Sequence, residues 1–297
     1  MNILLTGSNG FIGSNIKNFL IKNKHKVLEI RNPESIKDNK SDKSGLYYYD
    51  LKKNNLDILF KQLKKENIEV VIHSAALTNI RAENRDILLT NTLGTNTIFL
   101  LSKKLKASKF IYLSSLPVIG KPIHIPITEE HQVKPLNMYH LSKYFGENII
   151  SLDNENSLEK TILRITAPVG PNMPKTRFLS KLIIDCKNDN KITLFGKGGR
   201  IQNYIHINDI CKFIEISLAK KCSGVFNLGG SKSISNIDLA KLCINMTNSR
   251  SKIEFSGEDN QENFRWIVSI EKAKNYLGFE PNYDLDYMVK EQINYLQ

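Results

Sequence analysis

Cysteine is scarce in this chain of 297 residues: Cys186, Cys211, Cys222 and Cys243 are the whole set, spaced 25, 11 and 21 residues apart. No Cys-x-x-Cys occurs, and the spacing fits neither a zinc site nor a dense disulfide frame, so a reducing, cytoplasmic setting is expected. The four then read as buried apolar fillers. Long apolar runs are lacking too, and none approaches the length needed to cross a bilayer, so no membrane partner is expected. The N-terminus shows neither a basic leader region nor a cleavage site; its apolar stretch starts at Asn2 and runs straight into glycines. Sixteen glycines and nine prolines are too few for a collagen-like or low-complexity chain, and no internal repeat is found. None of the six histidines pairs with another at metal-ligand spacing, so no metal is expected.

What is present is an ordinary globular composition, 41% apolar and 24% charged, in a chain long enough to bury a proper core. Forty-two Lys+Arg against 30 Asp+Glu leave a net charge of +12, which suits anionic ligands such as nucleotides. Clusters such as Lys61, Lys64 and Lys65 fall on the outer face of an amphipathic helix and read as solvated surface, so nucleic acid is not expected as a partner.

Apolar runs at Asn2–Thr6, Lys26–Arg31, Leu46–Tyr49, Val70–His73 and Phe110–Leu113 read as buried strands. Between them, helical spacing covers Asn15–Ile21, Asp57–Asn67 (with Ile58, Leu59 and Leu63 inward) and Ile87–Leu105, while polar Asn32–Ser44 reads as a loop. The alternation implies βαβ units, a parallel sheet, and ligands beyond the carboxyl ends of the strands. The second half is less regular. Helices are expected at Lys143–Ser157 and Phe178–Cys186, strands at Lys160–Thr166, Tyr204–Ile207 and Val225–Leu228, and a glycine turn at Gly196, Gly198 and Gly199. The fold class is thus α/β, a Rossmann doubly wound parallel sheet over residues 1–167. A smaller C-terminal lobe follows over 168–297, with segments near 203–229 crossing back to the sheet.

Two patterns carry chemistry. Gly7-x-x-Gly10-x-x-Gly13 stands between a strand and a helix, where glycines let the backbone approach a pyrophosphate at the helix N-terminus. Tyr139 and Lys143 are four apart, on one face of a helix. Free tyrosine titrates near pH ~10 and is a poor base at neutrality; a nearby ammonium and an oxidised nicotinamide favour the phenolate. Such a phenol can exchange a proton with a sugar or alcohol oxygen while a hydride moves at the adjacent carbon. His73, His140 and His206 read as structural histidines, and Tyr47–Tyr49 as strand packing.

Thr6-Gly-Ser-Asn-Gly-Phe-Ile-Gly-Ser14, Asp50-Leu51, His73-Ser-Ala-Ala76, Asn91-x-x-Gly94-Thr95, Ser114-Ser115 and Tyr139-x-x-x-Lys143 occur in this order. Together they resemble the extended short-chain dehydrogenase/reductases of the NAD-dependent epimerase/dehydratase type, which modify nucleotide sugars. The likeness extends to Leu163-Arg164, Gly196-x-Gly198, Tyr204-Ile-His-Ile-x-Asp209 and Phe226-Asn-Leu-Gly229. It implies a cofactor site of Gly7, Asn9, Gly10, Phe11, Ile12, Gly13, Arg31, Asp50, Leu51, Ala75, Ala76, Asn91, Ser114, Tyr139 and Lys143. It implies Ser115, Tyr139 and Lys143 as the catalytic set, with Ser114 the alternative hydroxyl. Arg200 and Gln202 are the implied substrate contacts, although Gln202 stands where relatives often have Arg. Leu116 and Pro117 replace the Asp-Glu pair of the family's 4,6-dehydratases, so that activity is not expected.

The resemblance implies NADP(H) or NAD(H) as cofactor and a nucleotide sugar as substrate. It also implies a homodimer through the helices at Ile87–Leu105 and Lys143–Ser157. Arg31, where NAD-using relatives commonly carry Asp, tilts the expectation to NADP(H), because a guanidinium bonds a 2′-phosphate; Glu29, two residues earlier on the same face, is the alternative, as an acceptor for the ribose 2′-hydroxyl of NAD. NADP(H) suits a 4-ketosugar reductase; a UDP-glucose 4-epimerase-like enzyme with tightly bound NAD is the alternative. A non-catalytic NAD(P)-binding sensor would have no need of the Ser, Tyr and Lys.

Overall fold

The apolar run Asn2–Thr6 forms strand β1, and Ile3, Leu4 and Leu5 lose all solvent contact because both faces of this strand are covered. In the computed structural model, residues 1–35, 45–53, 55–79 and 82–296 are described, so part of the expected Asn32–Ser44 loop lies outside the described residues. After β1 come α1 (Phe11–Lys22), β2 (Lys26–Arg31), β3 (Leu46–Tyr48), α2 (Leu56–Leu63) and β4 (Val70–His73). Next are α3 (Asn84–Ile87), a wide helical turn over Leu88–Leu93, α4 (Gly94–Lys104), β5 (Lys109–Ser115), α5 (Met138–Ser151) and β6 (Glu159–Ile165). The chain continues through β7 (Ala167–Val169), α6 (Phe178–Lys187), β8 (Ile192–Phe195), β9 (Ile201–His206), α7 (Ile207–Ala219) and β10 (Gly224–Leu228). It ends with β11 (Ser233–Ser235), α8 (Asn236–Thr247), β12 (Ile253–Ser256), α9 (Glu271–Leu277) and α10 (Leu285–Tyr295).

The main sheet has the order β10-β6-β5-β4-β1-β2-β3, with parallel pairing from β5 through to β3. This is the doubly wound Rossmann arrangement. The order reverses between β1 and β4, which opens a crevice at their carboxyl ends. Its core joins Leu4, Leu28, Val71, Phe110 and Tyr112 of the strands to Leu59, Leu63, Ile98 and Leu101 of the helices. Each such aliphatic side chain contributes roughly 1.5–3 kcal/mol by leaving water.

Two compact units emerge. The first contains residues 1–120, 132–164 and 211–226, and the second residues 121–131, 165–210 and 227–297. In the second, β9 pairs antiparallel with β11 and parallel with β7, β8 pairs parallel with β12, and α6, α8 and α10 pack together. The four cysteines are free and buried.

Three helices differ from the pattern expected. Ile58 is 47% exposed: α2 spans Leu56–Leu63, and Leu59 and Leu63, four apart, already fill its inner face. The long helix expected at Ile87–Leu105 begins at Asn84 and passes through the wide turn before α4. The helix expected from Lys143 begins at Met138, because the Asn137 side chain caps it by accepting from the His140 N–H at 2.9 Å.

Candidate active site

β1 ends at Thr6, and Gly7 turns the chain with φ +72°. A Cβ on Gly7 would lie 2.7 Å from the Ala75 nitrogen, and one on Gly13 would lie 2.1 Å from the Gly7 oxygen. The chain's own packing therefore demands these two glycines. Gly10 is different. A Cβ there would meet nothing nearer than 3.4 Å, yet the position caps α1, whose first turn carries no acidic residue. Gly10 therefore puts no side chain in front of the start of α1, where the first backbone N–H groups of a helix lack intrahelical partners, and this fits a pyrophosphate.

At the end of β2, Arg31 is paired with a carboxylate of its own strand. Its Nη2 and Nε donate to the Glu29 carboxylate at 2.6 and 3.0 Å, and Nε also reaches Ser8 Oγ at 3.3 Å. Burial opposes the charge on Glu29, but hydrogen bonds from Ser8 and Arg31 and the charges of Lys17 and Arg31 outweigh it and hold its pKa below the usual value. Asp50 accepts from the Lys52 N–H at 3.0 Å, and its other carboxylate oxygen has no partner among the described residues. Leu51 is buried.

His73 is a structural residue in one tautomer. Thr95 Oγ1 donates to the Asn91 carbonyl at 2.5 Å, so it accepts from His73 Nε2–H at 2.9 Å. Nδ1 is then the acceptor from Thr6 Oγ1 at 2.7 Å, and Thr6 in turn accepts from the Ala75 N–H at 3.1 Å. Burial, reinforced by Lys143, pushes the His73 pKa down to about 3. This chain of bonds sets the Ser74-Ala75 backbone against Gly7. Asn91, in the wide turn before α4, is bonded to the protein at both ends of its amide. Oδ1 accepts from the Leu77 N–H at 2.7 Å, while Nδ2 donates to the Leu77 carbonyl at 3.1 Å and to Ser142 Oγ at 3.0 Å. It ties the segment after β4 to α5.

Because α5 starts at Met138, Tyr139 and Lys143 lie one turn apart on a formed helix. Tyr139 is half-buried; Lys143 is buried, and its Nζ sits 4.2 Å over the ring centroid of Tyr112. Among the described residues that ammonium makes no hydrogen bond or ion pair. Desolvation lowers the Lys143 pKa to about 7, with the charge of Glu147 working against the fall. Of the two serines ending β5, Ser114 is committed: its Oγ donates to Glu147 at 2.5 Å. Ser115 is half-buried and its hydroxyl has no partner among the described residues. Sequence reasoning assigned no role to Tyr112, Glu147 or Arg164. The available signals were the four-residue step from Lys143 to Glu147 and a lone arginine inside the apolar strand β6.

The second unit holds a cavity of about 660 Å³ lined by Phe178, Phe195, Arg200, Gln202, Asn236 and Asp259 among others. The two implied substrate residues thus share one cavity. Arg200 Nε and Asn236 Oδ1 are buried without a hydrogen-bond partner. Burial lowers the Arg200 pKa, with Asp259 opposing.

A phosphate cradle at the switch point of a parallel sheet, beside a helix presenting Tyr and a buried Lys, defines a dinucleotide-binding protein of the short-chain dehydrogenase/reductase class. More specifically, the model of the NAD dependent epimerase/dehydratase family matches residues 3–229, and the chain belongs to that family. It is similar to the "Putative UDP-glucose 4-epimerase" of Methanocaldococcus jannaschii, 30% identical over 99% of this chain and 98% of that protein. The UDP-glucose 4-epimerase of Halalkalibacterium halodurans is 26% identical over 99% and 95%. Among solved structures, the UDP-glucose 4-epimerase of Thermotoga maritima with UDP-glucose superposes with a TM-score of 0.89 at 24% identity, covering 99% of this chain and 98% of that one. The dTDP-glucose 4,6-dehydratase of Bacillus anthracis in complex with NAD gives 0.84 at 24%, covering 99% and 96%.

Proposed function

We propose that this protein is an NAD(H)-dependent 4-epimerase of UDP-activated sugars. The observation that carries the reading is the Glu29–Arg31 pair. Arg31 was the reason to expect NADP(H) and, through it, a reductase that exchanges cofactor every cycle. With the guanidinium bonded to Glu29, part of its charge is already met and that reason is weakened. Similarity over nearly the full length of a UDP-glucose 4-epimerase supports the same choice. A 4,6-dehydratase lacks support, since the buried Leu116 and the neighbouring Pro117 offer no acid to remove water.

Bound at the glycine turn, NAD supplies the acceptor and then the donor of a hydride. Tyr139 takes the proton from the sugar hydroxyl as its carbon is oxidised, and returns it when the carbon is reduced on the opposite face. The Lys143 ammonium stabilises negative charge on the phenol oxygen, and Ser115 donates to the sugar oxygen. Gly7, Gly10 and Gly13 bring backbone to the pyrophosphate, and Asp50 accepts from the adenine amine. In the cavity of the second unit, Arg200 supplies a cation for the nucleotide phosphates and Gln202 a neutral amide.

Incubation with UDP-, GDP-, dTDP- and CDP-sugars, with and without NAD(P)H, tests this. Interconversion of UDP-glucose and UDP-galactose with no net loss of reduced cofactor is expected, and Tyr139→Phe should lower kcat by about 10²–10⁴ with NAD binding intact. Stoichiometric NADPH oxidation by a ketosugar, without epimerisation, would establish the reductase instead.

A further inference from the structure

One helical turn beyond Lys143 stands a buried carboxylate to which the reaction above gives no task. Glu147 of α5 is 3% exposed and Arg164 of β6 is 4% exposed. Arg164 donates to Glu147 through Nε at 3.1 Å and through Nη2 at 2.7 Å, and Ser114 Oγ of β5 donates to the same carboxylate at 2.5 Å. As a source of stability this arrangement explains little, because a buried ion pair is commonly matched by apolar side chains of equal volume. Its placement explains more. Three elements converge on Glu147, and two of them also carry the catalytic set: α5 bears Tyr139 and Lys143, and β5 ends in Ser115.

The surroundings of Lys143 are otherwise poor in negative charge. From β5 comes the Tyr112 ring, and from β4 comes His73, which burial keeps neutral. The wide turn and α4 bring Asn91 and Thr95, which are uncharged, and the 116–119 turn is apolar. On α3, Arg85 is exposed and Asp86 pairs with Lys52 at 3.5 Å. Tyr139 precedes Lys143 on α5. Among the described residues that face Lys143, the carboxylate is Glu147.

We infer that Glu147, oriented by Arg164 and Ser114, is a positioning residue that favours the ammonium form of Lys143 and so sets the pH range over which the protein binds NAD. The inference rests on the cofactor reading above. An ammonium donates to ribose hydroxyls, whereas a neutral amine in the same place loses both charge and a donor. Binding of NAD therefore draws a proton onto Lys143 wherever the amine is partly neutral.

Proton uptake on NAD binding, measured calorimetrically in buffers of different ionisation enthalpy across a pH series, reads this directly. Wild type should take up protons around neutrality, and Lys143→Met should abolish the uptake. Glu147→Gln should move the uptake maximum about one pH unit towards acid, the usual effect of removing a neighbouring opposite charge. Because glutamine leaves Arg164 buried and unpaired, Glu147→Gln/Arg164→Met is measured beside it and should show a smaller displacement in the same direction, since the repulsion of the ammonium by the guanidinium is lost as well. A folded variant that binds NAD with its maximum at the wild-type pH overturns the role of Glu147, as does wild-type uptake that survives Lys143→Met. Wild type that fails to bind NAD at any pH overturns the cofactor reading, and this inference with it.

Discussion

Lys143 is a buried lysine, and the cost of charging it there is measurable as stability. In the folded chain it titrates at about 7, against about 10.4 for an exposed lysine. Between those values the unfolded chain binds more protons, so the stability of the cofactor-free protein rises with pH. From pH ~7 to ~9 the Lys143 contribution should grow by roughly 2–3 kcal/mol. Chemical denaturation of wild type against Lys143→Met at both pH values checks this; parallel pH dependence in the two would exclude it. At β2, Glu29 neutralises Arg31, so Glu29→Gln should free the guanidinium and tighten NADPH binding by about tenfold, the worth of one charge-assisted hydrogen bond. Titration of both reduced cofactors against wild type and variant measures the change; an unaltered preference would show that Arg31 lies out of reach of a 2′-phosphate.

At the scale of elements, α5 depends on its cap. Asn137 accepts from the His140 N–H, and the helix it starts carries Tyr139 in its first turn. Asn137→Ala should cost about 1 kcal/mol in stability. Fraying of that turn should also lower turnover while leaving NAD affinity almost unchanged, because Lys143 lies a full turn deeper. A loss of NAD affinity equal to the loss of turnover would count against this division. The wide turn at Leu88–Leu93 interrupts what the hydrophobic spacing presents as one helix, and Asn91 lies within it. Such turns are frequent at functional sites. Here Asn91 bonds the segment after β4 and Ser142 of α5 at once.

For the whole molecule, the outer faces of the adjoining helices α4 and α5 matter most. Leu93 and Leu100 are 40% and 39% exposed, and Phe145 and Leu152 are 41% and 75% exposed. The members of each pair are seven residues apart, with Leu93 in the wide turn that runs into α4 and Leu152 capping the end of α5, so each pair marks an apolar stripe on one side of its helix. Two such stripes side by side fit burial against a second copy of the chain by two-fold symmetry. A dimeric mass by light scattering at micromolar concentration is expected, and Leu100→Glu/Phe145→Glu should give a folded monomer. A monomeric wild type would reject the dimer.

The sheet and the cofactor turn could be read from the chain because their signals are local. Strands buried on both faces must be apolar throughout, as at Val70–His73, and the turn at Gly7 needs a residue that tolerates positive φ. The Tyr–Lys spacing is likewise a matter of four residues on one helix. Three things the local pattern did not decide. The commitment of the Ser114 hydroxyl followed from a carboxylate 33 residues away. The state of Arg31 depended on the rotamer of Glu29, which the sequence does not specify. The burial of Lys143, and the pairing of Glu147 with Arg164 beside it, arise only when β5, β6 and α5 come together. Periodicity and backbone preference are written residue by residue, so the sequence by itself determined the elements and the cradle. Ionisation and hydrogen-bond commitment depend on which groups share a low-dielectric interior, and only the tertiary structure decides that.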